Sequence, residues 1–425
     1  MSIEKVLLGG VPFGCNNIGD EAILAQVVSI IRNINSEIEI TVSTGDPIET
    51  QKLLHVKTCP LYGFDEKSLN KNEFIEALKQ VDTFIWSGAT GLSDYPDTSL
   101  NCLAEAQKIG IKTVIFCTGM NDKLNPAHFK LVSGKKYALL SLLTFLSGNT
   151  IDFIKTYETR KEQALRRRLK KILDKCDLVI NRDHQSSTQV MRSQLHVKPI
   201  IAADPAITLP IVEPSNKIWG DKLISFVEGH KTLIGICISS QQGLTQRNQF
   251  VEWLDSIVRA KNVGIVFIPM NPITDFEVMA DMRESMLYRD STIIASGSNR
   301  PEAVVGLAAR MDIIISSRLH LLIFASISAT PCIGIGRGSK VKNFLSEFGQ
   351  CTAGTTAHID FNQLDNKLTH LLSNKGIYKK HAIHVHHKML NRLNTGINAL
   401  SSVIDSRVSA QRSTKQVKLQ LGDAI

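Results

Sequence analysis

Short apolar runs alternate along the chain with longer stretches in which apolar positions return every three or four residues. Residues 5–10 (KVLLGG) lead into 19–34 (GDEAILAQVVSIIRNI) and then 37–44 (EIEITVST). A brief continuous apolar run closed by glycine reads as a strand covered on both faces, and the 3.6-residue period as a helix laid against it. The repeating unit is therefore βαβ, the unit of a parallel sheet. VDTFIWSGA (81–89), KTVIFCTGM (112–120) and KCDLVINRD (175–183) continue the series. The rhythm pauses in the proline-rich IIAADPAITLPIVEPSN, and a domain boundary is expected near 206–220. It resumes with KTLIGICIS, VGIVFIPMN, STIIASG, MDIIISS and TPCIGIG.

The expected fold class is α/β, with two doubly wound, Rossmann-like domains facing a cleft. The first covers 1–205 and the second 206–375, followed by a long helix over 376–405 and a loose tail over 406–425. In such sheets ligands sit beyond the carboxyl ends of the strands. The polar residues just after each strand are thus the ones to follow.

Residues 134–175 break the rhythm. An apolar run from Ala138 to Leu146 precedes a strongly basic helix containing RRRLKK. The run is too short to span a bilayer, so it is expected to be a buried or domain-packing helix, with the basic run as a solvated face. Together they leave peripheral docking on a membrane surface open.

Composition changes this picture little. The chain has 425 residues, 43% hydrophobic and 21% charged, which suits an ordinary globular protein of two domains. The formal net charge of +9 favours anionic partners. With aromatics at 6% and no zinc-finger or RNP-like spacing, nucleic acid is not expected among them. The eight cysteines are scattered singly, as buried thiols are in a reducing compartment. No signal peptide or membrane span is read, so a cytoplasmic protein is expected, with a peripheral position at the inner membrane face left open.

Four strand ends carry candidate chemistry. GGVPFGCNNIGDEAIL (9–24) is a Gly-rich loop opening a helix, neither a GxGxxG fingerprint nor a P-loop. Its helix N-terminus suits an anion and Asn16, Asn17 and Asp20 suit a polyol, although Gly19 could simply permit a turn and Asp20 a favourable helix start. SGATGLSD (87–94) reads as a turn. INRDHQSS (180–187) sets Arg182 at a strand end, where its planar fork can hold carboxylate or phosphate, or merely pair with Asp183. In SSRLHLLIFASISATPCIGIGRGSKV (316–341), Ser316 or Ser317 is expected to cap a helix whose first turn bears His320, placed for acid–base work beside Arg318. Arg337 and Lys340 follow at the next strand end. Of His381, His384, His386 and His387, only His384 and His387 can share a helix face, and no acidic or cysteine partner stands nearby, so no metal is assigned.

The ordered motifs NNIGDEAIL, SGATGLSD, CTGMND, VINRDHQSS, AADPAITL, IGICIS and, above all, MDIIISSRLHLLIFASISATPCIGIGRGSKVKNFLSEFG resemble the polysaccharide pyruvyl transferase family. The resemblance covers roughly residues 5–350 and implies a GT-B-like pair of domains. It also implies transfer of a pyruvyl group from phosphoenolpyruvate to paired hydroxyls of a glycan or glycan precursor, free or lipid-linked, as a cyclic ketal. His320 would be the catalytic histidine, and Lys340 and Arg182, with Arg318 and Arg337, would hold the donor without a cofactor or metal. The chain departs from the family's pattern at SGA (87–89), CTGMND and GRGS. Those departures keep two alternatives alive, a GT-B glycosyltransferase using a nucleotide sugar and a non-catalytic glycan-binding relative.

Overall fold

The computed structural model describes residues 4–64 and 70–405, so the tail expected at 406–425 lies outside the described residues. The first sheet contains β1 (Lys5–Gly9), β2 (Glu39–Thr44), β3 (Lys57–Pro60), β4 (Thr83–Ser87), β5 (Lys112–Thr118), β6 (Leu178–Asn181) and β7 (Ile200–Ile201). The second contains β8 (Leu233–Cys237), β9 (Gly264–Phe267), β10 (Thr292–Ile294), β11 (Ile313–Ser316) and β12 (Cys332–Gly334). Their spatial orders are β3-β2-β1-β4-β5-β6-β7 and β10-β9-β8-β11-β12, and every pairing is parallel. These are two doubly wound sheets.

The central strands are apolar because helices cover both faces. Every residue of β4, β8 and β11 is buried, which explains why they read as continuous apolar runs. β3 and β7 were not visible as strands in the sequence. Both lie at a sheet edge and are short and partly exposed, so no apolar run marks them.

Strand order reverses between β1 and β4 in the first sheet and between β8 and β11 in the second. The loops that leave these four strands open a crevice at each reversal. The two crevices face each other. Ile18 N–H donates to the Met270 carbonyl at 3.0 Å, joining the start of helix Ile18–Ile34 to the loop after β9. Asp122 N–H donates to Ser339 Oγ at 2.9 Å on the other side.

The closing helix, Lys375–Ile404, does not stay with the second sheet. Its buried stripe runs from Tyr378 through Val385 and Leu393 to Ile404, and its last third packs under the first sheet. A Cβ at Gly396 would stand 3.0 Å from Ala202 Cβ, and Lys112 Nζ donates to the Val403 carbonyl at 2.8 Å. The chain thus ends by clamping the two halves together.

Two sequence expectations are corrected here. The apolar helix Lys135–Leu146 buries none of its residues; it packs on the following helix Phe153–Leu173 and otherwise faces outward. The hairpin of these two helices stands off the body, and only the second helix reaches the core, through Leu165, Leu169, Ile172 and Leu173. Neither Ser316 nor Ser317 caps the helix Leu319–Ile327, whose N-cap is Arg318. Ser316 Oγ instead accepts from Arg318 N–H at 2.9 Å, closing its own turn, and Ser317 Oγ from Ser239 N–H at 2.9 Å, holding the loop after β8.

Candidate functional site

A cavity of about 360 Å³ lies between the facing crevices, within the range of roughly 300–1,000 Å³ usual for small-molecule sites. The loops after β1, β4, β8, β9 and β11 contribute to its wall, together with Arg182 after β6 and Arg337 and Lys340 after β12. Of the residues expected from the sequence, Asn17, Asp20, Arg182, Arg318, His320, Arg337 and Lys340 all line it. Asn16 does not. It is exposed, with a left-handed φ of 61°, and serves the turn before the helix.

His320 sits in the first turn of Leu319–Ile327 with 13% of its side chain exposed. Two groups on the first domain fix it. A Cβ on Gly19 would fall 2.0 Å from Nδ1 and 2.3 Å from Cγ, so the imidazole lies directly on a glycine in the first turn of helix Ile18–Ile34. Nε2 stands 3.6 Å from Asp204 Oδ2, at ion-pair range and just beyond a hydrogen bond. The histidine therefore comes from one sheet and its seat from the other.

Asp204 is buried and also approaches Arg182, with Nη1 at 3.5 Å from Oδ2. Burial alone would raise the carboxyl's pKa, but His320 and Arg182 outweigh it and hold the group below its ordinary value. Asp20, across the cavity, behaves oppositely. Burial raises its pKa against the lowering fields of His320 and Lys340 and a 2.6 Å hydrogen bond from Asn17 Nδ2. One site thus holds two carboxyls driven apart, Asp204 kept ionised and Asp20 pushed toward its neutral form.

The four cations differ in how far they are already spent. Arg318 is committed: Nε and Nη2 donate to both oxygens of fully buried Asp275 at 2.9 and 2.7 Å. Asp275 also accepts Ser240 N–H and Asn271 N–H, each at 3.0 Å. The pair ties together the loops after β8, β9 and β11. Arg182 is shared between Asp183 at 3.3 Å and Asp204 at 3.5 Å, and it lies on Gly119, whose Cβ would be 2.6 Å from the guanidinium carbon.

Arg337 and Lys340 are not paired, and the Asp94 carboxylate acts on both without an ion pair. Arg337 Nη1 donates to Ser239 Oγ and to Gln241 Oε1, both at 2.7 Å, and neither cation has an ion pair among the described residues. Burial and the nearby Arg337 push the Lys340 ammonium down to about 8. An unbalanced, half-buried pair of cations at a helix N-terminus (Ser339–Glu347) is built for an anion.

Asp204, Asp275 and Gly119 were given no role in the sequence, and Gly19 only that of permitting a turn. Asp204 follows β7 in AADPAITL, so a polar residue after an apolar stretch was its only signal. Gly19 and Gly119 carry none, because what they accommodate arrives from distant segments. Among the described residues no group of three or more His, Cys, Asp or Glu is placed to hold a metal ion.

Two doubly wound domains with a ligand-sized cleft between their switch points define a GT-B-like protein. The chain is similar in fold to HepE from Anabaena, solved with UDP-glucose (11% identity, TM-score 0.55, covering 97% of this chain and 100% of that one). It is likewise similar to MnaA from S. aureus, solved with UDP (10%, 0.57, 93% and 98%), and to a UDP-glucosyltransferase from Polygonum tinctorium (9%, 0.54, 95% and 99%). At such identities the likeness is one of fold. No curated protein sequence matches the chain. Residues 17–339 match the polysaccharide pyruvyl transferase family, and the chain belongs to it.

Proposed function

We propose that the protein transfers the pyruvyl group of phosphoenolpyruvate to two neighbouring hydroxyls of a glycan, as a ketal, releasing phosphate. The observation that carries this reading is the meeting of His320, seated on Gly19 beside Asp204, with Arg337 and Lys340, neither of which has an ion pair, in one cavity. Membership of the family supports the same reaction.

The chemistry assigns the residues as follows. Arg337 and Lys340, with Arg182, hold the carboxylate and phosphate of the donor. His320 gives a proton to the methylene carbon of the enol phosphate while the first acceptor hydroxyl attacks the adjacent carbon. Asp204 stays anionic beside the imidazole and keeps it fixed. The second hydroxyl then displaces phosphate, whose growing charge meets the same cations. Of the two hydroxyl protons, one replaces that given to the methyl group and the other leaves with phosphate. Asp20, facing His320 and drawn toward neutrality, is the acceptor-side group to exchange a hydroxyl proton, while Asn17 positions it. Arg318 holds the loops rather than the donor.

A nucleotide-sugar glycosyltransferase would use the same cleft, and thermal shifts with phosphoenolpyruvate and with UDP separate the two. Phosphate release from phosphoenolpyruvate over a panel of sugar acceptors tests the proposal directly. Activity in the wild type and its loss in His320→Ala, with the thermal midpoint kept, is the expected result. Stabilisation by UDP alone, or undiminished turnover in the variant, overturns it.

A further inference from the structure

No helix among the described residues is long and apolar enough to cross a membrane, yet one segment is shaped to lie on one. In the helix Lys135–Leu146, Leu139, Leu142, Leu143 and Leu146 recur at helical spacing and, with Phe145, form an apolar face. Leu139, Leu142, Phe145 and Leu146 are each more than half exposed, as is Val132 just before the helix. Soluble surfaces carry single exposed apolar residues, not a contiguous set of this size.

The charge around this face is equally one-sided. Residues 123–173 hold twelve Lys and Arg against three Asp and Glu, an excess of nine that equals the formal +9 of the entire chain. The remainder of the sequence is therefore balanced, and the net charge resides in this hairpin. Between 123 and 151 there are four lysines and no carboxylate. In helix Phe153–Leu173 the solvent face opposite the buried Leu165 and Leu169 carries Arg160, Arg167 and Lys171, all exposed.

The hairpin is held in shape at its entry and at its connecting turn. Leu131 N–H donates to Glu158 Oε1 at 3.1 Å and Phe153 N–H to Thr144 Oγ1 at 3.1 Å. Arg168 anchors the second helix on Asp97 at 2.7 Å. The segment also departs from the cavity rim. Asn125, just ahead of it, donates through Nδ2 to the carbonyl of Asp94, a residue of the cavity wall, at 3.0 Å.

We infer that the hairpin 123–173 is a docking surface for an anionic phospholipid bilayer. Leucines and Phe145 enter the headgroup boundary and the surrounding lysines and arginines engage phosphate headgroups. A protein partner would satisfy the apolar face alone, but it would need a matching acidic surface for an excess of nine positive charges. A bilayer supplies both properties at once. Docking there would bring the cavity rim to the membrane, where a lipid-carried acceptor is available.

The inference does not rest on the proposed reaction, because its readout is lipid binding. Flotation of the full chain with vesicles of phosphatidylcholine alone, and of phosphatidylcholine mixed with phosphatidylserine, tests it. The wild type floats with the mixed vesicles, stays behind with phosphatidylcholine, and is released by high salt. Leu142→Ser/Phe145→Ser, and separately Arg160→Ser/Arg167→Ser/Lys171→Ser, each lower the bound fraction by about tenfold or more. Both variants keep the wild-type circular dichroism and thermal midpoint, since every altered side chain is exposed. Failure of the wild type to float with either vesicle overturns the inference, as does flotation of both variants at the wild-type level. A wild-type dimer in light scattering that Leu142→Ser/Phe145→Ser converts to monomer, without vesicle binding, also overturns it and assigns the face to a second copy.

Discussion

Gly19→Ala is the sharpest test of how His320 is positioned. The residue lies in the first turn of a helix, buried and in helical conformation, so alanine suits its backbone and improves helix propensity by at most about 1 kcal/mol. The added methyl would stand 2.0 Å from His320 Nδ1. An unstrained contact needs about 3.5 Å, so the ring must retreat by roughly 1.5 Å. Overpacking of this kind costs about 1–3 kcal/mol, which the propensity gain partly offsets, leaving a thermal midpoint a few degrees lower at most. Catalysis is far less tolerant, since a misplacement of about 1 Å costs on the order of a hundredfold, or about 2.7 kcal/mol in the barrier. Phosphate release with a competent acceptor should therefore fall about a hundredfold while the fold survives and donor affinity, which the proposed reaction assigns to Arg337 and Lys340, changes little. Turnover within twofold of wild type would refute the reasoning, because it would show that His320 need not lie where Gly19 seats it.

Three further outcomes follow from the same geometry. Lys340 loses its proton as pH rises through about 8, so kcat/KM for phosphoenolpyruvate should decline above that pH; Lys340→Ala should show a lower value without this limb, and a flat wild-type profile from about pH 7 to 9 would count against the anion role. Asp275→Asn removes the partner of buried Arg318 and should cost about 3–5 kcal/mol in urea unfolding. Burial lifts the Glu21 carboxyl to about 7, so the folded state binds the proton more tightly than the unfolded chain. The stability this group contributes is full below the ordinary carboxylate range, near 4.5, and is lost as pH rises to about 7. Glu21→Gln, whose amide oxygen can still accept Gly14 N–H, should grow more stable than wild type over that window by up to about 3 kcal/mol; parallel stability curves would contradict this.

Much of the architecture could be read in the sequence because burial of a parallel sheet is a local constraint. Each central strand must be apolar on both faces, so FIWS, LIGIC and IIIS stand out, and the polar residues that follow them mark the cleft. Arg182, Arg318, His320, Arg337 and Lys340 were picked out in that way, and all of them line the cavity. The edge strands β3 and β7 escaped because the same constraint is relaxed at an edge. The helix Lys135–Leu146 misled for the converse reason: its apolar side chains imply burial only if something packs on them, and nothing in a linear pattern says whether it does.

The sequence by itself determined the two sheets, the strand ends that bear chemistry and the concentration of positive charge in one segment. Each follows from neighbours within a few residues or from simple counting. Only the tertiary structure decided which cations remain free and what holds the histidine. Arg318 and Lys340 look alike as residues after strands, but Asp275, 43 residues from Arg318, neutralises one, and among the described residues no carboxylate forms an ion pair with the other. Likewise His320 depends on Gly19 and Asp204, which belong to the opposite sheet. The balance of a buried charge, and the space open to a ring, are set by groups that only folding brings within a few ångströms.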